Sequence, residues 1–430
     1  MGLSVLYIHH SGVFGGASRS LLELIRAFPK GTVRPYVISQ RGEVPDIFES
    51  EGVPVIRTQG ISQFDNSRYG YYRGYRWLLL MREGYYFLFL LTAVLRAKRR
   101  WKRIDLVHVN EITLLPALVL SKLLLGCPVI VHARSVQRGE STSTRNRIVR
   151  AVLEKTAACI LAIDETVRKS LPTGPTIEVV HNGYSPRETK QPLPASPTLL
   201  KALSSPRKRP RFAMVGNLLP MKGVYEFVRA AKICRDRRVD AEFWILGDNV
   251  RNAAGVKGFL FREMGFSRDV RKDLEAFVRN HHLEEMVYFL GFNRDIDTVY
   301  RNIDVLCFPS HLDAAGRPVL ESAFWKVPSI VAMSHPEEDT LVDGETGLCI
   351  PPGDPMALAG AVEYFCSKPA EISRMGEKAN LLALKNFDMK KNAQLVLRVY
   401  ERCVEGNPTG AQDSGRIEDT SEADFCGEGS

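Results

Sequence analysis

Residues 309–323 read Pro309-Ser310-His311-Leu312-Asp313-Ala314-Ala315-Gly316-Arg317-Pro318-Val319-Leu320-Glu321-Ser322-Ala323, directly after the apolar run Val305–Phe308. A short apolar run followed by a glycine turn and a proline-led helix start is a strand-to-helix turn. It puts Asp313 in the loop and Glu321 in the first turns of the helix. Both then lie beyond the carboxyl end of a strand, where parallel sheets bind ligands. A carboxylate near a helix N-terminus is favourable for electrostatic reasons alone. The sharper reading is that a carboxylate beyond a strand end can accept a pair of sugar hydroxyls.

The same alternation extends outward in both directions. Strand-like runs at Phe212–Val215, Phe243–Leu246, Val287–Leu290, Ser329–Ala332 and Gly347–Ile350 are separated by helical patterns such as Val224–Arg235 and Arg271–His281. A similar series opens the chain, with Val5–Ile8, Tyr36–Ile38, Leu106–Val109, Val129–Val131 and Ile160–Ile163 set against helices at Ser18–Phe28, Leu114–Leu125 and Thr144–Lys155. Apolar runs alternating with helices predict βαβ units and parallel sheets. Between the two series, residues 184–211 hold six prolines and the run Arg207-Lys208-Arg209, a linker by composition. The predicted fold is therefore α/β, with two doubly wound, Rossmann-like domains facing a cleft. The expected division is a first α/β domain at 1–190, a linker at 191–210, a second α/β domain at 211–385 and a C-terminal helix at 386–404. From Glu405 the tail carries seven acids and one Arg and reads as disordered.

Composition narrows the function. The 430 residues are 45% hydrophobic and 25% charged, with a net charge of +9, an ordinary globular balance. The eight cysteines form no C-x-x-C pair, which argues against a zinc module or disulfide framework and for a reducing compartment. Met1–Ile8 reads as a buried strand and not as a signal peptide, and Leu6 breaks the myristoylation pattern. The uncharged hydrophobic stretch Gly84–Leu95 is shorter than the ~20 residues a membrane span needs.

Two further turns carry chemistry. Gly12-Val13-Phe14-Gly15-Gly16-Ala17-Ser18 joins a strand to a helix, and adjacent glycines let backbone amides approach an anion. Gly216-Asn217-Leu218-Leu219-Pro220-Met221-Lys222-Gly223 does the same in the second half, and Lys222 can meet a phosphate as a point charge. Glycine as a simple turn former and lysine as a solvated loop residue are the structural alternatives.

In these segments the chain resembles the retaining glycosyltransferases of family 4, of the GT-B fold (glycosyl transferases group 1). That family carries E-x7-E within P-S-x-x-E-G-F-G-x-P-x-x-E-A, and this chain has Pro309-Ser310, Asp313, Gly316, Pro318 and Glu321 in the same register. Gly15-Gly16, Asn182-Gly183, Gly216 with Lys222-Gly223, Leu246-Gly247-Asp248 and Asp343-Gly344 with Gly347 follow in family order. The resemblance spans roughly residues 3–404. It implies Asp313, His132 and Lys222 as catalytic groups at the reaction centre. Glu321 would hold the ribose of a nucleotide-diphosphate sugar, Asp313 the transferred sugar, and Lys222 the diphosphate. Gly15, Gly16, Gly216, Asn217, Gly316, Arg317, Pro318, Val319 and Leu320 complete the implied donor site, with the helix start at Pro318–Glu321 helping to hold the diphosphate. No metal and no cofactor are implied. His9, His10 and His108 read as structural, and His132 retains a structural alternative.

The chain departs from the family at several positions. Asp313 replaces a Glu, Asn217 an Arg, and Ser18 an acid. The glycine pair that usually precedes a family carboxylate is missing before Glu337-Glu338-Asp339. Arg317 is a candidate to compensate for the lost Arg. These changes bear on donor choice more than on fold.

Residues 68–103 hold ten Lys or Arg, one acid, and interleaved aromatics including Tyr69, Tyr71, Tyr72, Tyr75, Trp77, Tyr85, Tyr86 and Trp101. This composition suits an anionic membrane interface, with Arg96, Lys98, Arg99, Arg100, Lys102 and Arg103 facing it. A core helix with a solvated basic rim is the structural alternative. No recognition motif supports nucleic-acid binding. The expectation is a retaining hexosyltransferase, cytoplasmic and peripheral at the inner face of the membrane. It would act on a glycan or lipid-linked acceptor in surface polysaccharide or glycoconjugate synthesis. The alternatives are a catalytically silent GT-B protein that binds nucleotide sugar or glycan as a regulator or scaffold, and a sugar-nucleotide epimerase.

Overall fold

The structure is a computed structural model describing residues 2–68, 77–138, 143–186, 196–204, 209–249, 269–293 and 295–406. The N-terminal half runs β1 (Leu3–His9), α1 (Gly16–Ala27), β2 (Val33–Gln40), α2 (Glu43–Ser50), β3 (Val55–Thr58), α3 (Leu79–Arg100), β4 (Leu106–Val109), α4 (Leu115–Leu125), β5 (Val129–Ala133), α5 (Thr144–Thr156), β6 (Cys159–Ala162), α6 (Glu165–Ser170) and β7 (Ile177–Val179). Then come α7 (Pro197–Ser204), β8 (Arg211–Val215), α8 (Val224–Asp236), β9 (Glu242–Leu246), α9 (Val270–Asn280), β10 (Val287–Gly291), α10 (Ile296–Tyr300), β11 (Val305–Phe308), α11 (Arg317–Ala323), β12 (Ser329–Ala332), β13 (Gly347–Ile350), α12 (Pro355–Ser367), α13 (Pro369–Asn386) and α14 (Met389–Val404).

All strand pairs are parallel. The first sheet has the order β3-β2-β1-β4-β5-β6-β7 and the second β10-β9-β8-β11-β12-β13. In each sheet the direction of winding reverses once, between β1 and β4 and between β8 and β11. A crevice opens at such a switch point beyond the strands' carboxyl ends. The turns that follow β1, β4, β8 and β11 are thereby placed at the ligand-binding ends of both domains.

Burial on both faces explains why the strands read as continuous apolar runs. Along β1, Val5 and Tyr7 enter one core with Leu21, Leu24 and Val37. Leu6 and Ile8 enter the other with Leu90, Val107 and Val131. In the second sheet Phe212 and Met214 face α8 and α12, while Ala213 faces Trp244 and Tyr300.

One segment differs from the sequence expectation. Within the predicted linker, residues 197–204 form α7, whose Leu199 is fully buried in the second domain's core. Proline opens helices well because its missing N–H needs no partner there, so Pro197 is compatible with this helix. α14 packs Met389, Val396, Val399 and Tyr400 into the first domain's core. The two crossings between domains run side by side, with the Tyr184 amide donating to the Phe387 carbonyl at 2.8 Å. Of the expected disordered tail at 405–430, residues 407–430 lie outside the described residues, as do Tyr69, Tyr71, Tyr72, Arg73, Tyr75 and Arg76.

Candidate active site

Gly223 turns the chain from β8 into α8. Its φ of +76° suits glycine, and a Cβ there would lie 1.8 Å from the Pro309 carbonyl oxygen. Close approach of these two backbones brings Lys222 against β11, with Nζ 5.3 Å from the Phe308 ring centroid. No carboxylate pairs with Lys222 among the described residues. Burial pushes its ammonium pKa down. Asn217 is exposed beside Gly216.

Asp313 adopts a left-handed backbone with φ of +51°, a conformation that Asp tolerates better than most residues. Its carboxylate accepts from the Ser334 amide at 2.7 Å and lies 3.3 Å from Arg68 Nη1. Three residues on, Gly316 packs under the Phe308 ring, where a Cβ would come within 2.3 Å of it. Glu321 is buried, and protein partners engage both its oxygens. Oε1 accepts from Arg317 Nε at 2.9 Å and Oε2 from the Tyr300 hydroxyl at 2.9 Å.

The start of α11 offers fewer amides to an anion than expected. Pro318 has no N–H, and the Val319 amide donates to the Gly316 carbonyl at 3.0 Å. The side chains of Val319 and Leu320 are buried in packing, against the second-domain core and against Tyr184 and Phe387 respectively. Any contact of these two with a donor is therefore confined to backbone.

Arg317 instead reaches across to the first domain. It donates to Ser20 Oγ at 2.6 Å and to Glu23 Oε2 at 2.7 Å on α1, while still bonded to Glu321. Arg19 closes the set, 2.8 Å from Glu23 and 3.4 Å from Glu321. Burial opposes its charge, but Glu321 and Glu23 hold Arg19 above the ordinary range. Two arginines and two glutamates thus alternate across the cleft. At the opposite turn, a Cβ on Gly16 would meet only the Arg317 Cδ, at 3.6 Å, and one on Gly15 would meet nothing within 4 Å.

The floor of the first domain is a buried polar network at the strand ends. His9 Nε2 lies 2.8 Å from Ser18 Oγ, and His9 Nδ1 lies 2.9 Å from Asn110 Nδ2. Arg134 donates from Nε to Asn110 at 2.9 Å, from Nη1 to Asn182 at 2.6 Å, and from Nη2 to His132 Nδ1 at 3.2 Å. Burial and the Arg134 charge lower the pKa of His132 well below the ordinary range and keep it neutral. His108 is held by Tyr400 at 2.6 Å, and burial pushes it down to about 3. His9 and His108 are thus structural parts of the floor, as read from sequence, and His132 lies among them. Further bonds join the domains, from Lys169 to Glu337 at 2.7 Å and from His181 to Asp339 at 2.8 Å. These contacts occupy Glu337 and Asp339 of the Glu337-Glu338-Asp339 run.

Arg19, Ser20, Glu23, Tyr300 and the role of Arg134 are absent from the sequence reading. The Arg19–Glu23 spacing of i, i+4 is a legible helix pair, but nothing local signals its partner on the other domain. Among the described residues, no group of three or more His, Cys, Asp or Glu is placed to hold a metal ion.

These two sheets with facing switch points define a GT-B fold. HepE of Anabaena, solved in complex with UDP and glucose, has a TM-score of 0.68 to this chain at 18% identity, covering 93% of this chain and 99% of that one. Residues 14–188 match the family described as Glycosyltransferase Family 4, and residues 196–382 match Glycosyl transferases group 1. The chain belongs to the GT-B glycosyltransferases. The capsular polysaccharide biosynthesis glycosyltransferase CapM of Staphylococcus aureus is 25% identical over 188 residues, 44% of this chain and 43% of that protein. Alpha-D-kanosaminyltransferase of Streptomyces kanamyceticus is 24% identical over 194 residues, 45% of each chain. The match thus spans under half the length of these two relatives.

Proposed function

We propose that the protein is a retaining hexosyltransferase that moves a sugar from a nucleotide-diphosphate donor to a glycan or lipid-linked acceptor in surface polysaccharide or glycoconjugate synthesis. The carrying observation is one geometry. Lys222, Asp313 and Glu321 gather at the β8/β11 switch point, and Arg317 bridges from there to α1, behind the open Gly15–Gly16 turn. The UDP and glucose bound by HepE support a uridine nucleotide sugar as donor.

Breaking a sugar–phosphate bond leaves negative charge on the departing diphosphate. Lys222, with no carboxylate partner among the described residues and a pKa lowered by burial, is suited to meet that charge as it develops. The Ser334 and Arg68 contacts hold the Asp313 carboxylate, whose remaining lone pairs would accept sugar hydroxyls. Glu321 would hold the ribose by exchanging a protein partner for the two hydroxyls. No metal is assigned a step. Full transfer by Glu321→Ala, assayed with UDP-sugars and a polyprenyl-linked acceptor, would sink the assignment. The expected result is a loss of about 10²-fold or more.

A peripheral position at an anionic membrane is supported by α3. Its buried face is Leu90, Ala93, Val94 and Ala97, while Met81, Tyr85 and Leu88 are exposed in helical register with exposed Arg96 and Arg99. Lys98, Arg100, Lys102 and Arg103 are also exposed, although Lys98 and Arg103 are bonded to Leu124 and Asp105. Trp101 does not join this face. It is buried and stacked on Tyr36 at 4.4 Å. Among the described residues no helix is long and apolar enough to cross a membrane.

The silent-protein reading rests on Glu321, whose oxygens are already engaged by Arg317 and Tyr300. UDP binding without turnover in that same assay would favour it.

A further inference from the structure

Arg134 is the cation that the donor reading leaves without a task. It ends β5 on the cleft side of the first domain, and its guanidinium is enclosed by Asn110, Asn182 and His132. All three partners are neutral. Glu111 is the acid whose charge acts on Arg134 through space, but its Oε1 accepts from the Ile112 amide at 2.8 Å, the Ser135 hydroxyl at 3.0 Å and the Arg134 backbone amide at 3.5 Å, and among the described residues no carboxylate forms a direct ion pair with the guanidinium. A buried cation ordinarily has a counter-charge, because removing it from water is costly. Burial lowers the Arg134 pKa only to about 10, so it stays charged at neutral pH.

A second observation points to the same spot. His132 Nδ1 accepts the hydrogen bond donated by Arg134 Nη2, so the neutral ring carries its own hydrogen on Nε2. That Nε2 is buried and has no hydrogen-bond partner, and His132 is 4% exposed. A cation without a direct ion pair and a donor without a partner are therefore joined through the Arg134–His132 bond at the floor of the first domain. A buried donor left unsatisfied is unfavourable unless something fills it.

We infer that Arg134 and His132 form a seat for a phosphoryl group, separate from Lys222. The seat is built on the first domain, whereas Lys222 and the α11 turn belong to the second. The group could belong to a phosphorylated acceptor or to the donor diphosphate reaching across the cleft. The inference uses the cleft of the transferase reading but does not require turnover.

The test titrates inorganic phosphate, then UDP, into the full chain by calorimetry, with wild type, Arg134→Gln and Asn182→Asp. Asn182→Asp places a carboxylate where Asn182 Oδ1 now accepts at 2.6 Å, neutralising Arg134 internally without changing side-chain size. Both variants should weaken phosphate by about tenfold or more, the scale of a lost charge-assisted hydrogen bond. If the acceptor supplies the group, UDP affinity stays within about twofold. If the donor diphosphate supplies it, UDP weakens in parallel with phosphate. Phosphate binding unchanged in Asn182→Asp, or no phosphate binding by folded wild type at tens of millimolar, overturns the seat. Should Arg134→Gln fail to fold, Asn182→Asp still decides. UDP binding and sugar transfer with no phosphate effect would refute the seat alone. Phosphate binding without UDP binding would refute the donor reading alone.

Discussion

Two strand-to-helix turns face the cleft, and they use glycine for opposite reasons. Gly316, entering α11, is demanded by the fold, since a Cβ there would collide with the Phe308 ring at 2.3 Å. Gly15 and Gly16, entering α1, are not. Gly15 has φ of −144°, open to any residue, and neither position would suffer a clash from a methyl group. One turn is glycine because the interior is full, and the other leaves space beside a charged cleft. The second kind is the better indicator of a ligand, because packing cannot account for it.

The comparison can be broken in three ways. The largest effect is expected where the two turns meet. Arg317→Ala removes the bridge from α11 to Ser20 and Glu23, leaving the buried Glu321 and the half-buried Glu23 each short of a partner. A loss of roughly 3 kcal/mol is expected, read from a thermal melt. An unchanged melt would mean that the bridge carries no weight between the domains. Next, Gly316→Ala should cost about 2 kcal/mol by overpacking, while Gly15→Ala leaves the melt unmoved and weakens only UDP binding. Equal destabilisation by both would erase the distinction. The smallest effect concerns α3. Arg99→Ala should reduce binding to vesicles containing phosphatidylglycerol by about 1 kcal/mol at low salt and much less at high salt. Equal binding to neutral phosphatidylcholine vesicles would remove the membrane reading.

Much of the fold was legible because doubly covered strands leave an unmistakable apolar run. Leu106–Val109, Val305–Phe308, Ser329–Ala332 and Gly347–Ile350 coincide with strands at both ends. What escaped was short or half-wet. β3 carries exposed Arg57 within four residues, and all three residues of β7 are half-buried. α7 was hidden by its prolines, and the docking of α14 depends on tertiary packing that no local pattern encodes. In the site, Lys222, Asp313 and Glu321 lay in recognisable spacing. The Arg317–Glu23 bond was not readable, because it joins positions 294 apart, and neither residue is unusual where it stands. Arg134 was visible within its segment but mute, since an arginine beside a strand end acquires meaning only once its neighbours prove neutral.

The central claim is that the second-domain turn at Lys222 binds a nucleotide diphosphate. Thermal melts with UDP, without and then with magnesium, on wild type and Lys222→Ala test it most directly. Ligand at about 100 times its Kd adds roughly 2.7 kcal/mol to the folded state, a resolvable shift. The expected result is a rise in Tm for wild type without magnesium and little or none for the variant. An equal rise in both proteins, or none in wild type, would contradict it.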